Sequence, residues 1–390
     1  MKYAVVGFGT AGYHAVKKIR ELDKEGCIDV YSNTGRAPYN PMLTTYYAFG
    51  KLEYEGMFPF GDLEQIQKEV DFNLRREQVI KVHGSEHLVE TENGSEQYDR
   101  ILIATGARAF APPVKGLEPE DAFLMRTVED ALRFKDRLKK NDIKHAVVIG
   151  ASMAGIKVVE VLHKYGIETW LLDLASYIFP LAAYKEVAKE IEKRVEAQGV
   201  HLMFGVTIDH MEQENGEKTA VLTDGSRIPA DIVGLCIGTR AITETVQGEV
   251  EIGRGIVVDD HMRTSVPGIY AAGDCCEGNN LESGQNQIIG LWANANHQGE
   301  TAGINMAGGD MAYKGNILHN ITHFMNMDFI GFGDNRMQGE VLEYGSLSED
   351  LYIRLVLDGK RIVGANILDN YRVSGIVKNY MLRLVAGEQF

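Results

Sequence analysis

The sequence predicts an α/β protein with two doubly wound domains on parallel sheets and a small α+β domain at the C-terminal end. Three observations carry that prediction. A glycine-rich strand-to-helix turn, Gly7-Phe8-Gly9-Thr10-Ala11-Gly12, opens the chain. A second, Gly150-Ala151-Ser152-Met153-Ala154-Gly155, recurs in its middle. After residue 311 the pattern changes to closely spaced strands, short turns and a terminal helix.

The 390 residues suit two or three domains. Forty-two glycines is a high usage, as expected where backbone approaches a ligand. The net charge of -15 argues against nucleic acid as the main partner, because phosphate binding needs a basic face. The N-terminus runs straight into a strand with no apolar signal core, and no stretch has the length of a membrane span. A cytoplasmic protein without a membrane partner is expected.

Tyr3 to Val6 form the first strand, and Tyr13, Val16 and Ile19 mark one face of the helix that follows. Between them stands G-x-G-x-x-G. The first Gly makes the turn, the second admits a pyrophosphate, and the third lets helix pack on strand. The helix N-terminus faces the phosphate charge. The strand from Ile28 ends Ser32-Asn33-Thr34, without the acid that would hold an adenosine ribose, so Asn33 is left as the weaker ribose contact. Residues 78 to 103 alternate as a β-meander with a hairpin at Glu92-Asn93-Gly94, and Ile101 to Ile103 end in Ala104-Thr105-Gly106. Pro112 and Pro113 mark a linker.

His145 to Ile149 lead into the second turn, where Ser152 replaces the middle Gly and its hydroxyl can donate to a phosphate oxygen. Val158, Val159 and Leu162 line the following helix, with Glu160 expected to face solvent. The next strand ends at Asp173. An acid there favours the ribose hydroxyls of NAD and repels a 2′-phosphate, and no Lys or Arg follows until Lys185, so NADH is expected over NADPH. Cys236 reads as core. Thr264 to Asp274 form a strand that stops sharply at Ala271-Ala272-Gly273-Asp274, placing an acid where open α/β sheets bind ligands.

None of the four cysteines forms C-x-x-C. Cys275 and Cys276 are adjacent, and small buried thiols are expected rather than a strained vicinal disulfide. His297 stands beside Asn296 and Gln298, which read as polar surface. Strands are expected over 317–325, 328–332, 339–343, 351–357 and 362–368, with a hairpin turn at Asp358-Gly359. The final helix, 373–385, carries an apolar stripe of Val373, Ile376, Val377, Tyr380, Met381 and Leu384. His319 and His323 lie in strand with no carboxylate cluster, so no metal site is expected.

Three motifs in this order, Gly7 to Gly12, Ile101 to Gly106 and Thr264 to Asp274, resemble the FAD-dependent pyridine nucleotide-disulfide oxidoreductases, the two-dinucleotide flavoproteins. The nearest branch is that of rubredoxin and ferredoxin reductases and apoptosis-inducing-factor-like proteins, which lacks a redox cysteine. The resemblance covers essentially the whole chain. It implies a glutathione-reductase-like fold with two Rossmann-like domains: FAD-binding at 1–110 and 245–310, NAD-binding at 111–244, and a C-terminal interface or dimerisation domain at 311–390. It also implies FAD and NADH as cofactors, with Asp274 holding the ribityl chain.

By the same resemblance Ala37 to Tyr47 run beneath the flavin. Asn40 stands where relatives carry a basic residue before Pro41, and Thr44 and Thr45 stand where thiol-using relatives carry a redox cysteine. Ala104-Thr105-Gly106 links the two nucleotide domains, with Arg108 a candidate for FAD phosphate. Lys157 occupies the place of a family Glu near the nicotinamide ribose, and Trp292 the place of a Trp near flavin and nicotinamide; these two are the catalytic candidates. The cofactor-binding set is Gly7, Gly9, Thr10, Ala11, Gly12, Asn33, Pro41, Ile80, Ala104, Thr105, Gly106, Arg108, Gly150, Ser152, Met153, Ala154, Gly155, Asp173, Gly238, Gly273, Asp274 and Trp292.

The implied function is hydride transfer from NADH to FAD, with electrons passed to a rubredoxin- or ferredoxin-like carrier or a partner subunit. The alternatives are an NADH oxidase or small-molecule reductase, and a redox-responsive NADH-binding flavoprotein with little turnover. A homodimer is left open.

Overall fold

The computed structural model describes residues 1–347 and 351–385. In chain order its main elements are β1 (Lys2–Val6), α1 (Thr10–Leu22), β2 (Cys27–Tyr31), α2 (Leu43–Phe49), β3 (Asn73–Arg75), β4 (Arg100–Ile103), β5 (Ala122–Phe123), α3 (Val128–Leu138), β6 (His145–Ile149), α4 (Met153–Lys164) and β7 (Glu168–Asp173). There follow α5 (Lys185–Glu196), β8 (His201–Phe204), β9 (Ile232–Leu235), β10 (Ile269–Ala271), α6 (Trp292–Met306), β11 (His319–Phe324), β12 (Met327–Gly333), β13 (Glu340–Ser346), β14 (Leu351–Asp358), β15 (Arg361–Leu368) and α7 (Ser374–Val385). The chain divides into two units. One holds Met1–Asn40, Tyr54–Arg108 and Arg240–Asn316; the other holds Pro41–Glu53, Ala109–Thr239 and Ile317–Phe390.

The first unit is built on a parallel sheet of order β3-β2-β1-β4-β10. Its strands are apolar on both faces, as a parallel sheet covered by helices requires: Val5, Leu102 and Ile269 are fully buried. Tyr13, Val16 and Ile19 of α1 are buried as the periodicity predicts. Helix α6 packs on α1 through Gly299 and Gly303, where a Cβ would run into the Ala11 and Ala15 carbonyls. An antiparallel meander, Val79–His83, Leu88–Thr91 and Gly94–Gln97, turns at the expected hairpin, but the expectation that it runs on to residue 103 is corrected: Arg100–Ile103 leaves it and pairs in parallel with β1 as β4.

The second unit repeats the plan with a parallel sheet of order β8-β7-β6-β9-β5. It also holds an antiparallel sheet of order β11-β12-β15-β14-β13. The expected strands and the Asp358-Gly359 hairpin are therefore present. The expected apolar stripe of α7 is only partly internal: Met381 is buried, but Ile376 is 71% exposed. The helix keeps one anchor where the stripe promised a buried face; the side chain of Leu384 lies outside the described residues. His319 and His323 lie in β11 and form no helical pair. Burial, then the nearby Lys378 ammonium, pushes His319 down to about 4.

Candidate functional site

In the first unit the glycine loop joins the carboxyl end of β1 to α1, at the point where the strand order reverses between β1 and β4. The Gly7 N–H donates to the Tyr31 carbonyl at 2.9 Å, and the Ala104 N–H donates to the Val6 carbonyl at 2.8 Å. Gly7 has φ +104°, and a Cβ on it would strike the Ala104 carbonyl; a Cβ on Gly12 would strike the Gly7 carbonyl. These two glycines are required by backbone packing alone. Gly9 is different: apart from its chain neighbours, no atom of the described residues lies within 4 Å of where its Cβ would stand. Helix α1 begins at Gly9 with no side-chain cap and no acid in its first turn, so its N–H donors face outward for an anion. Thr10 and Ala11 are buried, and the Thr10 hydroxyl bonds Asn296 of α6.

The Ala-Gly-Asp turn ends β10 beside this loop. The Ala272 N–H donates to the Ile103 carbonyl at 3.0 Å. At Gly273, φ +86°, an added Cβ would lie 3.1 Å from the Ala11 Cβ and 3.6 Å from that of Ala295. The Gly273 N–H donates to Gln298 Oε1 at 2.9 Å, so α6 fixes the turn that carries Asp274. Cys275 and Cys276 are free, buried thiols. Trp292 opens α6, stacked on Phe60 at 5.6 Å, and Phe60 stacks in turn on Tyr13 at 4.3 Å.

Three observations show that a flavin dinucleotide fits these residues. Gly9 has open space before it, α1 and α6 start without side-chain caps, and the Trp292 Nε1 and Gln298 Nε2 donors are buried with no partner among the described residues. Other expected residues sit less centrally. Asn33 is exposed and donates to Gln78 Oε1 at 2.8 Å. Ile80 is 51% exposed, and the Arg108 guanidinium pairs with Glu244 at 2.5 Å on the surface. Thr105 Oγ1 donates to the Ile242 carbonyl at 2.6 Å, leaving Ala104 and Gly106 as the loop's small neighbours.

The second unit repeats the loop with one change. Gly150, at φ +105°, would strike the Cys236 carbonyl if it bore a Cβ, and Gly155 would strike the Gly150 carbonyl. Ser152 caps α4: its hydroxyl accepts from the Gly155 N–H at 3.2 Å and donates to the Cys236 carbonyl at 3.0 Å. Met153 is half-buried and Ala154 exposed at the start of that helix. Burial pushes the Cys236 thiol up to about 12, in keeping with core. Asp173 is held by two backbone donors, Ala151 N–H at 2.7 Å and Ala175 N–H at 2.8 Å. Leu174 beside it is exposed, and Gly238 is exposed at φ +105°.

One expectation on α4 is corrected. Glu160 does not face solvent; it is buried, and so is Lys157, and the two side chains bond each other. Lys157 Nζ also donates to the His323 carbonyl at 2.7 Å and lies 4.5 Å over the Tyr46 ring. Glu160 Oε1 accepts from Lys51 Nζ and from the Met325 N–H, each at 3.1 Å. Burial raises the Glu160 carboxyl, but the Lys157 and Lys51 ammoniums outweigh it and hold the group below its ordinary value. Burial alone is the larger influence on Lys157 and lowers it. The pair ties α2, α4 and the β11–β12 turn together. Pro41, at the head of this α2 segment, is half-buried.

Gln298 is a second correction: it is fully buried, not polar surface, whereas its neighbour His297 is exposed. The signal was present. Asn294, Gln298, Thr301 and Asn305 fall on one helical face, and all four are buried. Phe60 had no signal of its own, since its partner Trp292 lies far along the sequence.

The sequence profile of the pyridine nucleotide-disulphide oxidoreductases matches residues 1–299. The NADH-dependent phenylglyoxylate dehydrogenase subunit epsilon of Aromatoleum evansii is 27% identical over 98% of this chain and 91% of its own length. An NADH oxidase of Methanocaldococcus jannaschii is 27% identical over 79% of this chain and 70% of its own. Among solved structures, the NAD-dependent persulfide reductase from A. fulgidus superimposes with a TM-score of 0.91 at 24% identity, covering all of this chain and 77% of that one.

Proposed function

Because the chain belongs to the pyridine nucleotide-disulphide oxidoreductase family, and so is an oxidoreductase that works with FAD and a nicotinamide nucleotide, we propose that it oxidises NADH and delivers the electrons to a carrier protein or partner subunit. Bound FAD supplies the chemistry that accepts a hydride and releases electrons. The protein supplies binding and placement: Gly7 to Gly12 receive the FAD pyrophosphate, Asp274 its ribityl hydroxyls, and Trp292 covers the ring.

The observation that carries the reading is Asp173. Its carboxylate ends β7 with both oxygens oriented by backbone donors, ready for ribose hydroxyls and repellent to a 2′-phosphate. The acceptor side is supported by α2. Thr44 and Thr45 stand there buried, their hydroxyls donating to the Pro41 and Met42 carbonyls at 2.7 and 3.3 Å. A hydroxyl pair offers no thiol relay to a disulfide substrate. The relative named as a subunit supports delivery to a partner chain. The relative named an NADH oxidase favours a second reading, electron delivery directly to oxygen.

The proposal keeps the three-domain division given above, but it takes Lys157, a catalytic candidate from the sequence, as a buried structural cation rather than a group that meets substrate. A homodimer fits the exposed Val341, Leu342 and Tyr344 of edge strand β13. The test is anaerobic titration of the FAD-loaded protein with NADH, and with NADPH in parallel, read at the flavin absorbance bands. Bleaching by NADH at far lower concentration than NADPH is expected. A flavin that NADH leaves oxidised would end the reading. Turnover in air with no added protein would move it to the oxidase.

A further inference from the structure

The second glycine loop is closed by one of its own side chains. Ser152 Oγ accepts from the Gly155 N–H at 3.2 Å, and its proton goes to the Cys236 carbonyl at 3.0 Å. Cys236 follows the last residue of β9, and its carbonyl is also the group that excludes any side chain from Gly150. One hydroxyl therefore ties the first turn of α4 to the end of the neighbouring strand. At the matching place in the first loop stands Gly9, with no hydroxyl, no cap and open space.

The donors of a helix's first turn are what a pyrophosphate accepts from. In α4 one of them is already taken by Ser152. We propose that Ser152 is a latch: its hydroxyl competes with the nucleotide's pyrophosphate for the first turn of α4 and sets the affinity for the pyridine nucleotide low enough for rapid exchange. The inference rests on the reading of Gly150 to Gly155 as the NADH site. Its energetic logic is that of a bond made in the free protein and given up on binding, which weakens binding by what the bond was worth. Met153 and Ala154, whose backbone groups follow the latch, stay available for the first encounter. Asp173 is oriented beforehand by the Ala151 N–H and gives nothing up, since each carboxylate oxygen has a second lone pair for a ribose hydroxyl. The latch thus acts on the phosphate end of the nucleotide and leaves the ribose end, where NADH and NADPH differ, untouched.

The opposite role is the conventional expectation for a hydroxyl at this place: a direct ligand that donates to a phosphate oxygen. The two roles predict opposite signs. If Ser152 is a latch, removing the hydroxyl tightens nucleotide binding; if it is a ligand, removal loosens it. The experiment compares the FAD-loaded wild type with Ser152→Ala and Ser152→Gly. The dissociation constant of NAD+ is measured by calorimetry and its release rate by stopped flow. FAD content, fixed by the other loop, reports that each variant is folded.

The expected result is that Ser152→Ala binds NAD+ about tenfold more tightly, the worth of one net hydrogen bond. The gain lies in slower release, and the nucleotide-free variant melts below the wild type because α4 has lost its cap. Ser152→Gly, which also removes the Cβ, binds at least as tightly as Ser152→Ala. Weaker or unchanged binding by Ser152→Ala overturns the latch while leaving the NADH site standing. Absence of NAD+ binding by all three proteins overturns the latch and the site reading together.

Discussion

The two glycine loops share a strand order, two sterically obligatory glycines and a neighbouring carbonyl packed against the first of them, yet they use their own donors differently. In the first loop, Gly9 leaves the start of α1 uncapped with empty space before it, and the Trp292 and Gln298 donors are buried without partners among the described residues. Buried donors without partners cost free energy until something accepts from them. In the second loop, Ser152 takes the Gly155 N–H and Asp173 the Ala151 N–H, so some of the loop's donors are already in use. On the proposed assignment, the first suits a ligand that stays and the second one that leaves, so that one βαβ plan would serve a resident cofactor and an exchanging nucleotide by changing a few donors.

The largest effect expected is at the obligatory glycines. Gly12→Val drives a side chain into the Gly7 carbonyl and yields protein without bound flavin, seen as loss of the visible bands. Gly9→Ala breaks the comparison in the other direction. No described residue beyond its chain neighbours opposes its Cβ, so the apoprotein melts like the wild type, while FAD affinity falls by about tenfold or more because the added carbon meets the pyrophosphate. If Gly9→Ala also destabilises the apoprotein, the loop is not open as described.

Next comes the support beneath the second loop. Lys157→Met leaves buried Glu160 with Lys51 and the Met325 N–H as remaining partners and lowers stability by about 3 kcal/mol in denaturant unfolding. Lys157→Met combined with Glu160→Leu recovers most of that loss. The pH dependence has a definite sign. The Glu160 carboxyl is held below its ordinary value of 4.5, so its contribution is fully present above about pH 4.5. It is lost as the pH falls through the lowered native value. In Lys157→Met that acid sensitivity shrinks. Asp274→Ala should weaken FAD binding about 30-fold, as loss of a charge-assisted hydrogen bond does, measured by fluorescence on reconstitution. The smallest effect is at Arg108. Its surface pair with Glu244 is worth roughly 0.5 kcal/mol or less, and Arg108→Gln leaves FAD affinity unchanged.

What could be read in advance follows the range of the forces involved. Gly12 and Gly155 were legible because the clashes that demand them, with the Gly7 and Gly150 carbonyls, arise within a single strand–turn–helix unit; Gly7 and Gly150 were legible only as members of the same motif, since the carbonyls that exclude a Cβ there, those of Ala104 and Cys236, lie at the ends of other strands. The strands of the C-terminal sheet were legible from alternation. Glu160 and Gln298 were misread because polar residues on a helix look solvent-facing until a distant partner is known. Glu160 meets Lys51 and the Met325 N–H, and Gln298 meets the Gly273 N–H, all well separated in sequence. The α7 stripe failed the other way, with Ile376 left exposed though its spacing suited burial. Ser152 lay between these cases. Its place in the motif was evident, but whether its hydroxyl faced a phosphate or its own loop depended on the Cys236 carbonyl at the end of another strand.

The central claim is tested most directly by loading the protein with both FAD and NAD+, passing it once through a desalting column, and measuring what each molecule of protein retains. The account predicts about one FAD per chain and almost no NAD+. Loss of FAD alongside NAD+, or retention of both, would contradict the assignment of a resident site to Gly7–Gly12 and an exchanging site to Gly150–Gly155.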